Sequence, residues 1–280
     1  PFVFSFQQVG TNCGLIGKNA AVEVDGSAYW MSENGFFRYT GKLDSLACLV
    51  EDYVYDDINT VPRQHIYAGL NNLFGEVTWF YPGSGAASNN RSVTYNYMDS
   101  TPERPVWTTS SLARSTWSDS HIFGKPHGTE YDSSATSDTT VGNTDGVTTY
   151  FEHETGVNQI KAGTASTIAA SIESGDFDIS AGQGGADLRG DGENIMKIRR
   201  VLPDFLQQTG DARVTLNLKN YPTDSQASSS LGPFEVTTST TKIDTRARAR
   251  AISLKVDNTS TGQHWKLGTF RLDIQPDGRR

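Results

Sequence analysis

Arg246, Arg248 and Arg250 alternate with Ala247, Ala249 and Ala251 near the C-terminal end of this 280-residue sequence. On a strand, a period of two sends all three guanidinium groups to one side and the methyl groups to the other. Such forks bind carboxylate or phosphate bidentately. Three uses are open to the row. It is a solvated strand end whose face is flipped by a bulge, a basic edge set into the acidic surface of a neighbouring subunit, or a contact with nucleic-acid phosphate. The same parity continues into Ile252, Leu254 and Val256, so one face would run from charge into core. As a subunit interface, the row is the sequence's clearest candidate for intermolecular chemistry.

Reactive constellations are otherwise missing from the pattern. Of five histidines, His65 and His121 fall at matching places in a repeat described below, which favours packing roles in a blade core. His153-Glu154 is not followed by a second histidine one helical turn on, so the zinc-helix spacing fails. There is no nucleophile-elbow Gly-x-Ser-x-Gly and no phosphate-binding glycine loop. Asp56-Asp57 and Asp176/Asp178 are close carboxylates, yet glycosidic hydrolysis needs two that face one bond from different elements. Asp187, Asp191 and Glu193 offer calcium hard oxygens within a Gly-rich loop. Their spacing fits no known calcium loop, so a solvated turn is the favoured reading. The expectation is a protein with no catalytic residues and no cofactor.

Charge is divided along the chain. Of 24 Lys/Arg and 32 Asp/Glu, residues 195–280 hold 14 and 8, a net of +6, which leaves 1–194 at -14. Neither part is basic enough for a nucleic-acid clamp. Cys13 and Cys48 lie in apolar, strand-like sequence and are expected as free thiols of a reducing compartment. The apolar runs are short, so no membrane-spanning helix is expected. Residues 1–10 carry no signal peptide, and the sequence reads as part of a longer product.

The elements that must position these residues are strands. Short apolar runs such as Ala28–Met31, Phe36–Tyr39, Val77–Tyr81 and Val93–Tyr97 are bounded by turn formers, with Asp25-Gly26 and Asn34-Gly35 at hairpin positions. Only Asn158–Ser171 hints at helix, and Gly163 weakens it. Cys13–Asn19, His65–Asn71 and His121–His127 align as one element occurring three times. Trp30 and Trp79 follow in the first two copies, 49 residues apart, and Thr148–Phe151 stands for them in the third. A unit of about 50 residues with four short strands is the size of a β-propeller blade. Trp30 and Trp79 are therefore expected in the blade core, buried between neighbours. Residues 1–180 read as the propeller portion, with earlier blades upstream of Pro1. After the loop Ala181–Asn194, residues 181–280 read as an antiparallel β-sandwich-like domain, because Val214, Leu216 and Leu218 and then Phe270, Leu272 and Ile274 alternate with polar residues. Gly268, where that phase inverts after Trp265 and Leu267, is the expected site of a bulge.

Several of these segments carry a likeness. Ala28–Gly41 (AYWMSENGFFRYTG), Tyr53–Asn59 (YVYDDIN), His65–Asn72, Glu76–Pro82 (EVTWFYP) and the stretch from Arg248 through Trp265-Lys266-Leu267-Gly268 to Arg280 resemble the propeller-containing tail nozzle, or tail-stabilisation, proteins of short-tailed bacteriophages. The resemblance weakens across Tyr131–Asp145 and Ser225–Gly232. It implies a structural virion protein assembled in the host cytoplasm. It further implies a homo-oligomeric ring, commonly of six subunits, below the portal and adaptor and beside tail fibres or spikes. Double-stranded DNA would leave through this ring without specific binding. The rival reading is a glycan-binding or glycan-cleaving propeller that acts as a receptor-binding tail protein.

Overall fold

Turn chemistry builds the first sheet. Asp25 and Gly26, with φ of 47° and 77°, close a two-residue hairpin between β1 (Ala21–Val24) and β2 (Ser27–Ser32). Asn34-Gly35 then leads into β3 (Gly35–Tyr39), and β4 (Leu43–Leu46) completes a four-stranded antiparallel sheet in chain order. The computed structural model describes residues 4, 7–120, 122–132, 146–179, 194–221, 223–224 and 229–278. The fold is all-β, as the sequence predicts, and the chain divides into two compact units, Pro1–Thr155 and Gly156–Arg280.

In the first unit the meander recurs. β5 (Tyr67–Asn71), β6 (Glu76–Tyr81), β7 (Arg91–Thr101) and β8 (Arg104–Ser110) form a second four-stranded sheet, again in chain order. A third sheet holds β9 (Thr116–Ser118), β10 (His127–Asp132) and β11 (Val147–Glu152). The first strands of successive sheets adjoin. Asn19 bridges Tyr67 in parallel and its carbonyl accepts the Ala68 N–H at 2.8 Å, while Tyr67 reaches the Trp117 carbonyl of β9. One aromatic-rich cluster fills the space between the first two sheets, with Met31, Phe36, Trp79 and Tyr81 fully buried. Phe36 lies 4.9 Å from Trp79 and 4.8 Å from Trp107, ring centre to ring centre.

A short helix, α1 (Glu51–Asp57), interrupts the strand pattern where YVYDDIN stands. Strand-like composition conceals it. Val54 is buried, the Tyr55 hydroxyl donates to the Ser32 carbonyl at 2.6 Å, and Glu51 and Asp52 sit in the first turn, where the helix dipole favours them. Conversely, the helical hint over Asn158–Ser171 resolves into strands. β12 (Asn158–Lys161) and β13 (Thr164–Thr167) pair around Ala162 and Gly163, both at positive φ, a hairpin geometry that a helix cannot accommodate.

The second unit pairs strands far apart in sequence. β14 (Ser171–Glu173), β20 (Ala251–Asp257), β17 (Ala212–Lys219) and β18 (Ser230–Val236) make one sheet in that order. β19 (Ile243–Ala249), β15 (Met196–Leu202) and β22 (Arg271–Pro276) make another, and β16 (Phe205–Thr209) pairs with β21 (His264–Leu267). Val214, Leu216 and Leu218 are buried, as their alternation predicts. They join Ile198, Ala247, Ala249 and Ile252 in one aliphatic cluster to which both larger sheets contribute. Because β14 pairs with β20 and the Ala170 N–H donates to Asn258 at 3.1 Å, residues 156–179 belong with this unit. The compact units therefore part at Thr155, earlier than the expected division at 180. Gly268 lies between β21 and β22, where the chain leaves one sheet for another. The phase inversion there is a change of sheet, and the register shift in the β16–β21 pair lies on the partner strand, between Phe205 and Gln207.

Candidate functional site

The tryptophans keep the register that the sequence suggests. Trp30 is the fourth residue of β2 and faces Ala21 across the hairpin; Trp79 is the fourth of β6 and faces Ala68. The next residues point the other way: Met31 into the first cluster, and Phe80 onto Trp117 of the third sheet at 5.5 Å. Trp79 is fully buried, whereas Trp30 is half-buried and stacks on Phe37. Four indole N–H groups donate to main-chain carbonyls 17 to 60 residues earlier: Trp30 to Cys13, Trp79 to Ala20, Trp107 to Ala47 and Trp117 to Leu70, at 2.7–3.0 Å. Tryptophan suits this task because it fills apolar volume and still satisfies a carbonyl. Gly69 is required beside one of them, since a Cβ there would lie 2.6 Å from the Trp117 ring.

Other parts of the repeat alignment are corrected. Cys13–Asn19 precedes β1, His65–Asn71 contains β5, and residues 122–126 connect β9 to β10. The Thr148–Phe151 counterpart lies on the last strand of its sheet rather than the second. The drift lies in the connections ahead of the strands, since Cys13 stands eight residues before the start of β1 and His65 only two before the start of β5. His65 is not a core residue. It sits exposed on a 3-10 turn, Arg63–His65, with Nδ1 donating to the Ala87 carbonyl at 3.0 Å. His121 lies outside the described residues, as do Asp187, Asp191 and Glu193; among the described residues no cluster of three or more His, Cys, Asp or Glu could hold a metal ion. Cys13 and Cys48 are free thiols, and burial pushes the Cys48 thiol up to about 11.

The arginine row is broken by topology. Arg246 and Arg248 are exposed on β19, with Ala247 and Ala249 fully buried beneath them. β19 ends at Ala249, however, and Arg250 occupies the bend from which β20 enters the other sheet, so one strand does not deliver three forks. The continuation of parity into Ile252 is a corner between sheets. Arg248 is ion-paired through Nε to Asp277 of the same chain. Arg246 lines a groove of about 340 Å³ with Leu231, Phe234, Asp244 and Thr245.

The third sheet holds a buried cation that sequence patterning missed. Arg114 is 3% exposed; it donates from Nε to His153 Nε2 at 2.9 Å, lies 4.1 Å over the Phe151 ring and is 3.5 Å from Glu130. Burial lowers its pKa to about 10. His153 accepts this bond as a neutral ring, and burial, aided by the charge of Arg114, holds its pKa down at about 4.

A polar cleft of about 430 Å³ lies in the same unit, where the chain enters the first strands of the three sheets. Lys18 and Asn19 come just before β1, Gln64 and His65 just before β5, and Ser115 just before β9. Ser88 and Asn89, from the β6–β7 connection, and Tyr131 of β10 complete the lining. Asn89 is 4% exposed and ties two of these segments together, donating to the His65 carbonyl at 2.7 Å and the Arg114 carbonyl at 2.9 Å. Its Oδ1 is buried without a hydrogen-bond partner among the described residues. The signal for this cleft is positional: its residues share a place relative to strand starts, not a common residue type. Comparison with protein-family models and with curated proteins finds no match.

Proposed function

We propose that this chain is a structural virion protein of a phage tail, a nozzle subunit in which a β-propeller portion precedes a sandwich-like domain. The observation that carries the reading is the succession of antiparallel sheets in chain order, with first strands adjoining and with Trp30 and Trp79 at one register position. Stacked meanders of this kind are how propeller blades bury both faces. On this reading, the Trp30 side of the first sheet is where a preceding blade packs. The segmental charge fits a homo-oligomeric ring, six-fold in the family that the sequence resembles. In such a ring a basic edge can meet acidic blades, and acidic walls let DNA pass without adhering.

The test is the mass of the purified protein by light scattering at several concentrations, with end-on class averages of assembled particles. A closed ring at the tail supports the proposal. A persistent monomer that hydrolyses oligosaccharides overturns it in favour of a glycan-active receptor-binding protein. The ring reading also expects no measurable duplex binding at physiological salt, and submicromolar affinity there would count against it.

A further inference from the structure

We propose that the cleft at the strand entrances of the first unit is a binding site for an anionic saccharide unit, a sugar ring that bears a carboxylate or a phosphate. The proposal does not depend on the tail assignment. Its volume, about 430 Å³, lies within the range of small-ligand sites. The lining chemistry selects the ligand. Lys18 supplies a cation that makes no ion pair with a described residue; Gln64, Ser115 and Tyr131 supply the mixed donors and acceptors that sugar hydroxyls require. His65 spends Nδ1 on the Ala87 carbonyl, so only Nε2 is left for a ligand.

No carboxylate lines the cleft among the described residues, although residues 1–155 carry 18 Asp/Glu against 8 Lys/Arg. In so acidic a unit, a described lining with one ammonium and no carboxylate favours negative charge. Asn89 lines the cleft from the β6–β7 connection with a side chain that is almost fully buried. Segments from three sheets frame the cleft, and the Asn89 amide clamps two of them, so the site is preorganised.

Ligand-observed saturation-transfer NMR on the full chain tests this with four probes: glucuronic acid, glucose 6-phosphate, glucose and acetate. At least one acidic sugar should receive saturation, and which of the two binds more tightly assigns the acid group. Glucose should bind about fivefold more weakly, the size of effect that one exposed ion pair supports, and acetate should show no transfer. Lys18→Gln, at an exposed position, should remove the advantage of the acidic sugar without shifting the thermal midpoint. Ser115→Trp, which fills the cleft, should abolish transfer to every sugar; its melting curve serves as the folding control, and Gln64→Ala, which should weaken all sugars, replaces it if that variant unfolds. Absence of transfer to any sugar, equal transfer to acetate, or sugar binding unchanged in Lys18→Gln and Gln64→Ala would overturn the proposal.

Discussion

The two units solve the burial of β-sheet faces in different ways. In the first, every sheet is made of strands consecutive in sequence, and its cluster is aromatic, with Phe36, Trp79 and Tyr81 at its centre. Indole N–H groups reach from one sheet or segment to carbonyls of an earlier one. In the second, β20 lies between β14 and β17, and β15 between β19 and β22, so neighbours in space are distant in sequence. That cluster is aliphatic, and alanine lies beneath the arginines of β19. Large rings with a polar handle suit sheets that stack as repeats. Small side chains suit a place where the chain turns a corner and a second sheet comes close.

Substitutions can sharpen this contrast. The largest effect is expected at Trp79, where Trp79→Ala opens a cavity and removes one of the two hydrogen bonds that the Ala20 carbonyl accepts, at a cost of about 3–5 kcal/mol. Trp30→Ala, at a half-buried site of identical register, should cost about 1–2 kcal/mol by partial loss of the same burial. Equal losses in chemical denaturation would show that position in the repeat, not burial, sets the energetics. In the second unit the opposite change is the informative one. Ala249→Leu adds volume to a site with no exposure and should destabilise by about 1–3 kcal/mol; a neutral result would mean that the alanine corner is loosely packed.

The pH dependence of the first unit should follow His153. Its folded pKa of about 4 lies below the ordinary value of 6.5, so the unfolded chain takes up a proton first. Stability present above pH 6.5 is therefore lost as pH falls toward 4, by about 1–2 kcal/mol once its partial solvent exposure is discounted. His153→Gln should flatten the slope of the melting midpoint over that window, and an unchanged slope would rule the ring out as its source. The smallest effect on folding is expected for Arg246→Ala and Arg248→Ala, each within about 0.5 kcal/mol, since both side chains are exposed. If the ring reading holds, Arg246→Ala should still weaken assembly, most at low salt. Assembly that is unaffected by it would remove the row from the interface.

Legibility tracks the same contrast. Asp25-Gly26 and Asn34-Gly35 marked the first hairpins because turn type is a local property, and the equivalence of Trp30 and Trp79 survives because both sit at one place in a local meander. The exposed position of His65 is not readable, since segments of unequal length lead into β1 and β5 and shift the register that equal spacing assumes. Pairing of β14 with β20 leaves no trace in periodicity, and so neither the unit boundary at Thr155 nor the sheet change at Arg250 is legible in the sequence. Nothing in the sequence marks Arg114, because burial of a charge is decided by what folds over it. The cleft needed all three strand entrances at once.

The order of strands in each sheet also bears on how the chain folds as it is synthesised. The first sheet is complete once residues 21–46 have left the ribosome, and the second needs only residues 67–110. Each can close while translation continues, since short loops lose little entropy on closure. Beyond its β12–β13 hairpin, the second unit's larger sheets have no such early point. β15 cannot gain its β22 edge until Arg271–Pro276 are made, and β14 waits for Ala251–Asp257. Nascent chains should therefore carry folded early sheets and unpaired later strands together, and the stretch between Ser171 and Val236 is where a chaperone would find exposed sheet edges.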